Sequence, residues 1–224
     1  MRAAAALPLL FAATLLPSEA IPGAWFPGAP ALAAQEMSRP AGWKVRFDRA
    51  NATEADLETF VDMPPGWHIT TGPAAIFWEP DRVASGDFKA EAEIFLFDPM
   101  GRREAFGIFV GGRDLEGPNQ RYTYFLIRDG GEFLIKTRSG SETSTLMPWT
   151  PNEAILSFAD RGSETTVRNV LSVEAKGDSV RFAVNGKTVA KLPRQEVDSD
   201  GVVGLRVNHR LNLHISRLDV TPKG

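Results

Sequence analysis

The sequence predicts an all-β protein built as a two-sheet antiparallel β-sandwich or jelly roll, and three observations carry that expectation. Leu171, Val173 and Ala175 alternate with Ser172, Glu174 and Lys176, and Val180, Phe182 and Val184 alternate with Arg181 and Ala183. A period of two with one apolar side marks half-buried antiparallel strands. Gly177-Asp178 joins these runs and Asn185-Gly186 turns the chain again into Thr188 to Leu192, and Asn-Gly is the strongest short hairpin signal. Finally, about twelve short strand-like segments follow one another with turn residues roughly every 8–12 positions and no long helical period, which is the pattern of a sandwich.

The N-terminus stands apart. Met1-Arg2 precedes an apolar run from Ala3 to Leu16, and small residues recur at Ser18-Glu19-Ala20 and Ala31-Leu32-Ala33. A basic start, an apolar segment and an A-x-A-like site describe a secretory signal peptide, too short and wrongly flanked for a membrane span. Residues 21–34 are a long c-region or a flexible leader, so residues 1–34 are assigned to signal and leader and residues 35–224 to one β-sandwich domain. An exported protein, periplasmic or secreted, is expected, with no membrane insertion once the signal is removed.

Removing 34 of the 224 residues leaves 190, enough for a core that buries roughly 70% of the unfolded chain's surface. The net charge stays at −3, with 24 basic against 27 acidic residues after Arg2 and Glu19 are set aside. A slightly acidic chain lacks the basic stripe that nucleic-acid phosphates require. Cysteine is absent, which excludes disulfides, thiol catalysis, thiolate metal sites and a lipidation anchor together.

The elements follow in order. Trp43 to Phe47 is a first strand, and Trp67 to Thr71 and Ala75 to Trp78 are two more, divided by Gly72-Pro73. Between them Asn51 to Val61 suits a turn or two of helix, with Thr53 as N-cap and Asp56 at the capping-box spacing. Gly86 to Phe97 is the longest strand: Phe88, Ala90, Ala92, Ile94 and Leu96 share one side, Lys89, Glu91, Glu93, Phe95 and Phe97 the other. Glu104 to Val110 and Arg121 to Ile127 are joined by a Gly-rich loop, Asp129-Gly130-Gly131 turns into Phe133 to Arg138, and Gly201 to Val207 and Leu211 to Val220 close the domain.

The runs "GDFKAEAEIFLFD", "FGIFVGG", "YTYFLIRDGGEFLIKTR", "NVLSVEAKGDSVRFAVNGKTVAKLP", "DGVVGLRV" and "LHISRLDV" resemble the concanavalin A-like lectin/glucanase superfamily. More narrowly, they are similar to exported bacterial domains named for 3-keto-disaccharide hydrolases and to laminin-G-like domains. The resemblance covers roughly Trp67 to Val220 and rests on core and turn positions. It implies two curved antiparallel sheets that bind or cleave carbohydrate on the concave face or at rim loops. A shared fold does not by itself carry a function.

Several constellations are candidates for chemistry. Glu54-Ala55-Asp56-Leu57-Glu58 looks like the E-x-D-x-E of the glucanase branch. On a strand, alternate residues lie about 6–7 Å apart, near the ~5–5.5 Å carboxyl separation of retaining hydrolysis. The motif here precedes the main strand array, lacks the aliphatic residue after the first Glu, and follows a helix-start Thr53, so a solvated helical turn is the better reading. Glu91 and Glu93 share a strand face with Lys89, either as a paired-carboxylate site or as a charge-compensated solvent stripe. His68 in "GWHITTG" points outward if Trp67 and Ile69 point in, as an acid, a base, a sugar contact or an ordinary exposed histidine. His209 and His214 are five apart, which on a strand puts them on opposite faces and argues against a zinc pair.

Aromatic and arginine residues give the stronger case. In "RYTYFLIRDGG", Thr123, Phe125 and Ile127 share one face and Tyr122, Tyr124, Leu126 and Arg128 the other. With Phe125 and Ile127 interior, the tyrosines and Arg128 line an outward surface. Sugar C–H faces stack on aromatic rings, and sugar oxygens accept bonds from the arginine fork. Trp78, Trp149 and Arg113 are expected at strand ends or loops as rim contacts. The alternative is that paired tyrosines simply support the sheet as cross-strand neighbours.

No cofactor is expected. Exported members of the superfamily often carry a structural calcium, and Asp98-Pro99, Asp129-Gly130 and Asp198-Ser199-Asp200-Gly201 are acidic turns, but none supplies a complete oxygen-ligand loop. Three functional readings stand: an exported carbohydrate-binding β-sandwich; a glycoside-cleaving enzyme, including a 3-keto-glycoside type in which one base starts elimination; and an envelope protein-interaction module.

Overall fold

A computed structural model describes residues 39–223; the predicted signal and leader, residues 1–34, lie outside the described residues. Fourteen strands run in chain order: β1 Lys44–Phe47, β2 Thr59–Asp62, β3 Trp67–Thr70, β4 Ala75–Ala84, β5 Phe88–Leu96, β6 Ala105–Arg113, β7 Arg121–Arg128, β8 Glu132–Ser139, β9 Glu142–Pro151, β10 Val167–Lys176, β11 Ser179–Val184, β12 Lys187–Pro193, β13 Gly201–Val207 and β14 Asn212–Pro222. They form two seven-stranded antiparallel sheets, ordered β1-β4-β13-β6-β7-β8-β9 and β12-β11-β10-β5-β14-β3-β2. The all-β sandwich predicted from the sequence is the observed architecture.

The core between the sheets is built from the alternation. In β5, Phe88, Ala90, Ala92, Ile94 and Leu96 are buried while the intervening residues are not. They meet Phe77, Phe106, Ile108, Phe125, Ile127, Phe133 and Ile135 from the first sheet and Leu171, Val173 and Phe182 from the second. Phe125 packs edge-on to Phe133 and Phe182, with centroids 6.2 and 5.4 Å apart. The Asn185-Gly186 hairpin carries positive φ at both residues, 50° and 80°, as its turn type requires. Asn185 also holds a long loop in place. Its amide donates to the Ala154 carbonyl and to buried Asn169 Oδ1, each at 2.9 Å.

Three expectations need correction. The predicted helical stretch shrinks to a single 3-10 turn, Glu54–Asp56, and the chain then enters strand β2, an edge strand of the second sheet. The Asp56 carboxylate does accept the Thr53 backbone N–H at 2.8 Å, so the capping spacing was meaningful. Strand β9 was not foreseen; its Thr/Ser-rich first half is solvent-exposed, so no apolar alternation marks it. Strand β4 runs six residues past its predicted end at Trp78, through Pro80, with a register irregularity against β13.

Candidate functional site

The first sheet is apolar on both faces, and this sets the candidate site. Strand β6 is buried at eight consecutive positions and β7 at six, unlike the strictly alternating β5. Residues pointing away from the sandwich core form a second cluster: Ile76, Trp78, Ala105, Phe109, Tyr122, Tyr124, Leu126 and Leu134, joined by Leu115 from the β6–β7 loop. Register places Lys44, Trp78, Gly204, Phe109, Tyr124 and Lys136 in one row across the sheet. A neighbouring row runs Arg46, Ile76, Arg206, Gly107, Leu126 and Leu134. Gly204 gives the face its close packing: a Cβ there would stand 2.5 Å from the Phe109 ring.

Arg206 is the polar centre of this face. It is 7% exposed, and its guanidinium donates to both Asp48 oxygens at 3.0 and 2.5 Å and to the Tyr122 hydroxyl at 3.3 Å. It also lies 5.1 Å from the Tyr124 ring centroid. Burial acts to lower the Arg206 pKa, but the Asp48 carboxylate and the neighbouring tyrosines outweigh it and the guanidinium stays charged. Asp48 is likewise pushed up by burial and pulled further down by Arg206 and Arg138, so its pKa lies below the ordinary carboxylate value. Both tyrosine hydroxyls have raised pKa values, chiefly from burial.

The sequence-predicted direction of the tyrosines agrees with the structure, but their exposure does not. Phe125 and Ile127 are interior, at 0% and 1% exposed, and Tyr122 and Tyr124 point the other way. Yet the tyrosines are themselves 1% and 5% exposed, so they are not the open patch that alternation alone suggested. Part of the reason lies in the β6–β7 loop. Arg46 donates to the carbonyls of Leu115 at 2.7 Å and Gly117 at 2.6 Å, and Lys44 pairs with Glu116 at 2.5 Å. These bonds draw the loop onto the face and put Leu115 into the cluster.

The other expected contacts divide. Trp78 is inside β4 and buried in the second cluster, not at a strand end. Trp149 lies within β9, half-buried, with the Arg128 guanidinium 4.0 Å from its ring centroid; Arg128 also pairs with Glu132 at 2.8 Å. Arg113 is at the exposed end of β6 and is engaged by Asp198 at 3.1 Å and the Asp200 carbonyl at 3.0 Å, so it ties loops together. An open depression lined by Arg46, Asp48, Trp78, Glu116 and Gln120 adjoins the Arg206–Asp48 pair. Arg206 and Asp48 were not among the residues singled out from the sequence; one charged residue inside the apolar run "GVVGLRV" was the available signal.

The proposed catalytic residues all lie on the second sheet, away from this cluster. Glu91 is paired with Lys89 and, at 2.9 Å, with Arg217. Glu93 is paired with Arg168 and accepts the Ser216 hydroxyl at 2.8 Å. Burial acts to raise both carboxyl pKa values, but Lys89 and Arg217 for Glu91, and Ser216 and Arg168 for Glu93, outweigh it and lower them. Neither is poised as the protonated acid that glycoside cleavage uses. His68 faces His214 directly across β3 and β14. Burial lowers both histidine pKa values, and for His68 the neighbouring His214 adds to the effect. His209 lies outside the strands and contacts Glu104 at 3.4 Å.

The E-x-D-x-E run is dispersed into structural roles: Glu54 pairs with Arg39, and Asp56 caps its own turn and meets Arg49 at 2.9 Å. The acidic turns are likewise occupied. Asp98 accepts the Met100 N–H at 2.8 Å, Asp129 the Phe158 N–H at 2.7 Å, and Asp200 pairs with Arg194 at 3.0 Å. Among the described residues no group of three or more histidine or acidic side chains is arranged to hold a metal ion. No described helix is long and apolar enough to cross a membrane.

Comparison with solved structures decides the architecture. The carbohydrate-binding module CBM66 from Bacillus subtilis aligns with a TM-score of 0.55 at 16% identity, covering 83% of this chain and 97% of its own. The Bacillus licheniformis beta-glucanase gives 0.56 at 10% identity, over 84% and 95%. The fold is that of the concanavalin A-like jelly rolls. A Bacillus subtilis protein described as having a galectin-like fold gives 0.56 at 9% identity, over 80% and 88%. No family model matches the chain, and no curated protein matches it. Likeness at these identities extends to the fold alone.

Proposed function

We propose that this chain is an exported carbohydrate-binding β-sandwich whose ligand is taken up on the outward face of its first sheet. The observation that carries the reading is the aromatic and arginine cluster on that face. The β6–β7 loop covers part of this apolar, aromatic face, and the partly exposed Trp149 and cations beside it are left open to a ligand. Tyr122, Tyr124, Trp78 and Phe109 are the buried backing of the face, and Trp149, Lys136, Arg138 and Arg46, which keep partial exposure, are the side chains a ligand would touch. Flat sugar C–H surfaces suit such rings, and ring oxygens suit the guanidinium forks. The likeness of fold to a carbohydrate-binding module and a beta-glucanase supports the same ligand class.

Calorimetry against a panel of oligosaccharides, with wild type, Trp149→Ala and Tyr124→Ala, tests the reading. Wild type should bind at least one glycan with a dissociation constant near about 1 mM or tighter, or roughly −4 kcal/mol. Trp149→Ala should lose about tenfold or more. Equal binding by all three proteins would remove this face as the site.

A second reading, cleavage of a glycosidic bond in a 3-keto sugar, is favoured by one observation. His68 faces His214 across β3 and β14, and burial together with that neighbour lowers its pKa, which favours the neutral imidazole; a neutral imidazole is competent to remove a proton made acidic by an adjacent carbonyl. Release of reducing sugar from a 3-keto-glycoside, abolished by His68→Gln, would establish it. Release that survives the substitution would exclude His68 as the base.

A further inference from the structure

The outward face of the first sheet holds more hydrogen-bond donors and positive charge than its own acceptors can answer. Six cations stand on it: Lys44, Arg46, Arg128, Lys136, Arg138 and Arg206. Three carboxylates meet them among the described residues, and each has a partner: Asp48 holds Arg206, Glu116 holds Lys44, and Glu132 holds Arg128. Arg46 is spent on two loop carbonyls. Arg138 reaches only Asp48 Oδ1, an oxygen already engaged by Arg206, at 3.9 Å, and the Gly140 carbonyl at 3.4 Å. Its Nε is buried with no partner, and so is the Nε of Arg206. Lys136 has no ion pair among the described residues.

Placement sharpens the point. Arg138 stands directly opposite Tyr122 in the β7–β8 register, and Lys136 directly opposite Tyr124. Two under-satisfied cations therefore stand beside the two buried tyrosine rings. Buried donors without acceptors are costly, and each calls for a partner of complementary chemistry. A neutral sugar supplies rings and hydroxyls but no counter-charge. A planar carboxylate fixed to a sugar ring supplies both, and it fits the guanidinium fork in a way a point anion does not.

We propose that the glycan bound here is acidic: an oligosaccharide carrying uronic-acid residues, whose carboxylate is received by Arg138 and Lys136, which stand opposite the buried Tyr122 and Tyr124, while its sugar ring meets the partly exposed Trp149. Arg206, clamped by Asp48 and Tyr122, is a positioning residue that holds the buried tyrosine rings and keeps Asp48 from neutralising Arg138. This inference rests on the carbohydrate-binding reading and adds the class of sugar.

The test is calorimetry on the full chain with four homo-oligouronates (galacturonate, glucuronate, mannuronate and guluronate), each paired with its methyl ester, together with a neutral glycan panel. Charge-assisted bonds lead to an acid form bound at least about tenfold more tightly than its ester, with the gap narrowing as salt screens the cations. Arg138→Gln and, independently, Lys136→Gln should each cut affinity for the acid about tenfold and for the ester by clearly less, so that the acid–ester gap narrows; Lys136→Gln decides the matter should Arg138→Gln fail to fold. Acid and ester bound alike, or neutral glycans bound and uronates not, would overturn the acidic-sugar assignment while leaving carbohydrate binding intact. No binding to any uronate, ester or neutral glycan would overturn both.

Discussion

Removing the Asp48 carboxylate leaves a buried guanidinium without its counter-charge, and the structure sets the size of the penalty. In wild type, Arg206 is over nine-tenths buried and donates two hydrogen bonds to Asp48, with Tyr122 as its remaining side-chain partner. Breaking a buried pair by deleting one member costs about 3–5 kcal/mol. Asp48 itself keeps 32% side-chain exposure, so water can enter where the carboxylate stood, and Asp48→Ala is placed at about 2–3 kcal/mol. For a domain of this size each kcal/mol lowers Tm by about 2–4 °C, giving a drop of roughly 5–10 °C. Differential scanning calorimetry and urea midpoints measure it. The double variant Asp48→Ala/Arg206→Met removes the charge along with its partner and should recover more than half of the loss. A fall in Tm of under about 1 °C for Asp48→Ala would refute the claim that this pair organises the face.

Further outcomes follow from other contacts. Gly204→Ala would press a methyl group to 2.4 Å from the Phe77 carbonyl and 2.5 Å from the Phe109 ring; because the carbonyl is backbone, a loss near the upper end of about 1–3 kcal/mol is expected in urea unfolding. Arg128 and Trp149, 4.0 Å apart, should show a coupling of about 0.5–1 kcal/mol in a double-mutant cycle read by thermal unfolding, and additive single losses would show that the stacking contributes nothing. For His68 and His214, burial lowers the folded pKa values beneath the ordinary 6.5. Below pH 6.5 the unfolded chain then takes up protons first, so stability present at neutral pH is lost as pH falls towards the folded values. The Tm difference between pH 7.5 and pH 5.5 should shrink in His68→Gln/His214→Gln, and an unchanged difference would show that the pair is not responsible. Glu91→Gln and Glu93→Gln, on the opposite sheet, should leave glycan affinity within about twofold of wild type by calorimetry.

The fold was largely legible because the inter-sheet core writes itself into the chain with a period of two. Strand β5 and the β10–β11 pair alternate cleanly, the Gly177-Asp178 turn joins β10 to β11, and the Asn185-Gly186 turn joins β11 to β12. The unforeseen strands β2 and β9 are both sheet edges, where one side of the ladder is unpaired and polar residues are tolerated; Thr143 to Thr145 are exposed and Pro148 interrupts the run. The site was legible in direction and not in burial. Alternation correctly turned Tyr122 and Tyr124 away from Phe125, but what buries them comes from distant parts of the chain. Arg206 is 158 residues from Asp48, and Leu115 arrives on a loop held by Arg46, 69 residues away. One local signal was present: β6, "AFGIFVGG", and β7, "YTYFLI", are nearly continuous apolar runs, the signature of strands covered on both faces. Setting them beside the alternating β5 distinguishes the sheet with a second apolar face from the sheet with a solvated one.

Chemical-shift mapping of the isotopically labelled chain during titration with a bound oligosaccharide tests the central claim most directly. Carbohydrate recognition on the outward face of the first sheet predicts perturbations concentrated at Tyr122 to Arg128, Leu134 to Arg138, Trp149 and Arg206. Perturbations clustered instead on β5, β10 and β14, around Glu91, Glu93 and His214, would contradict it.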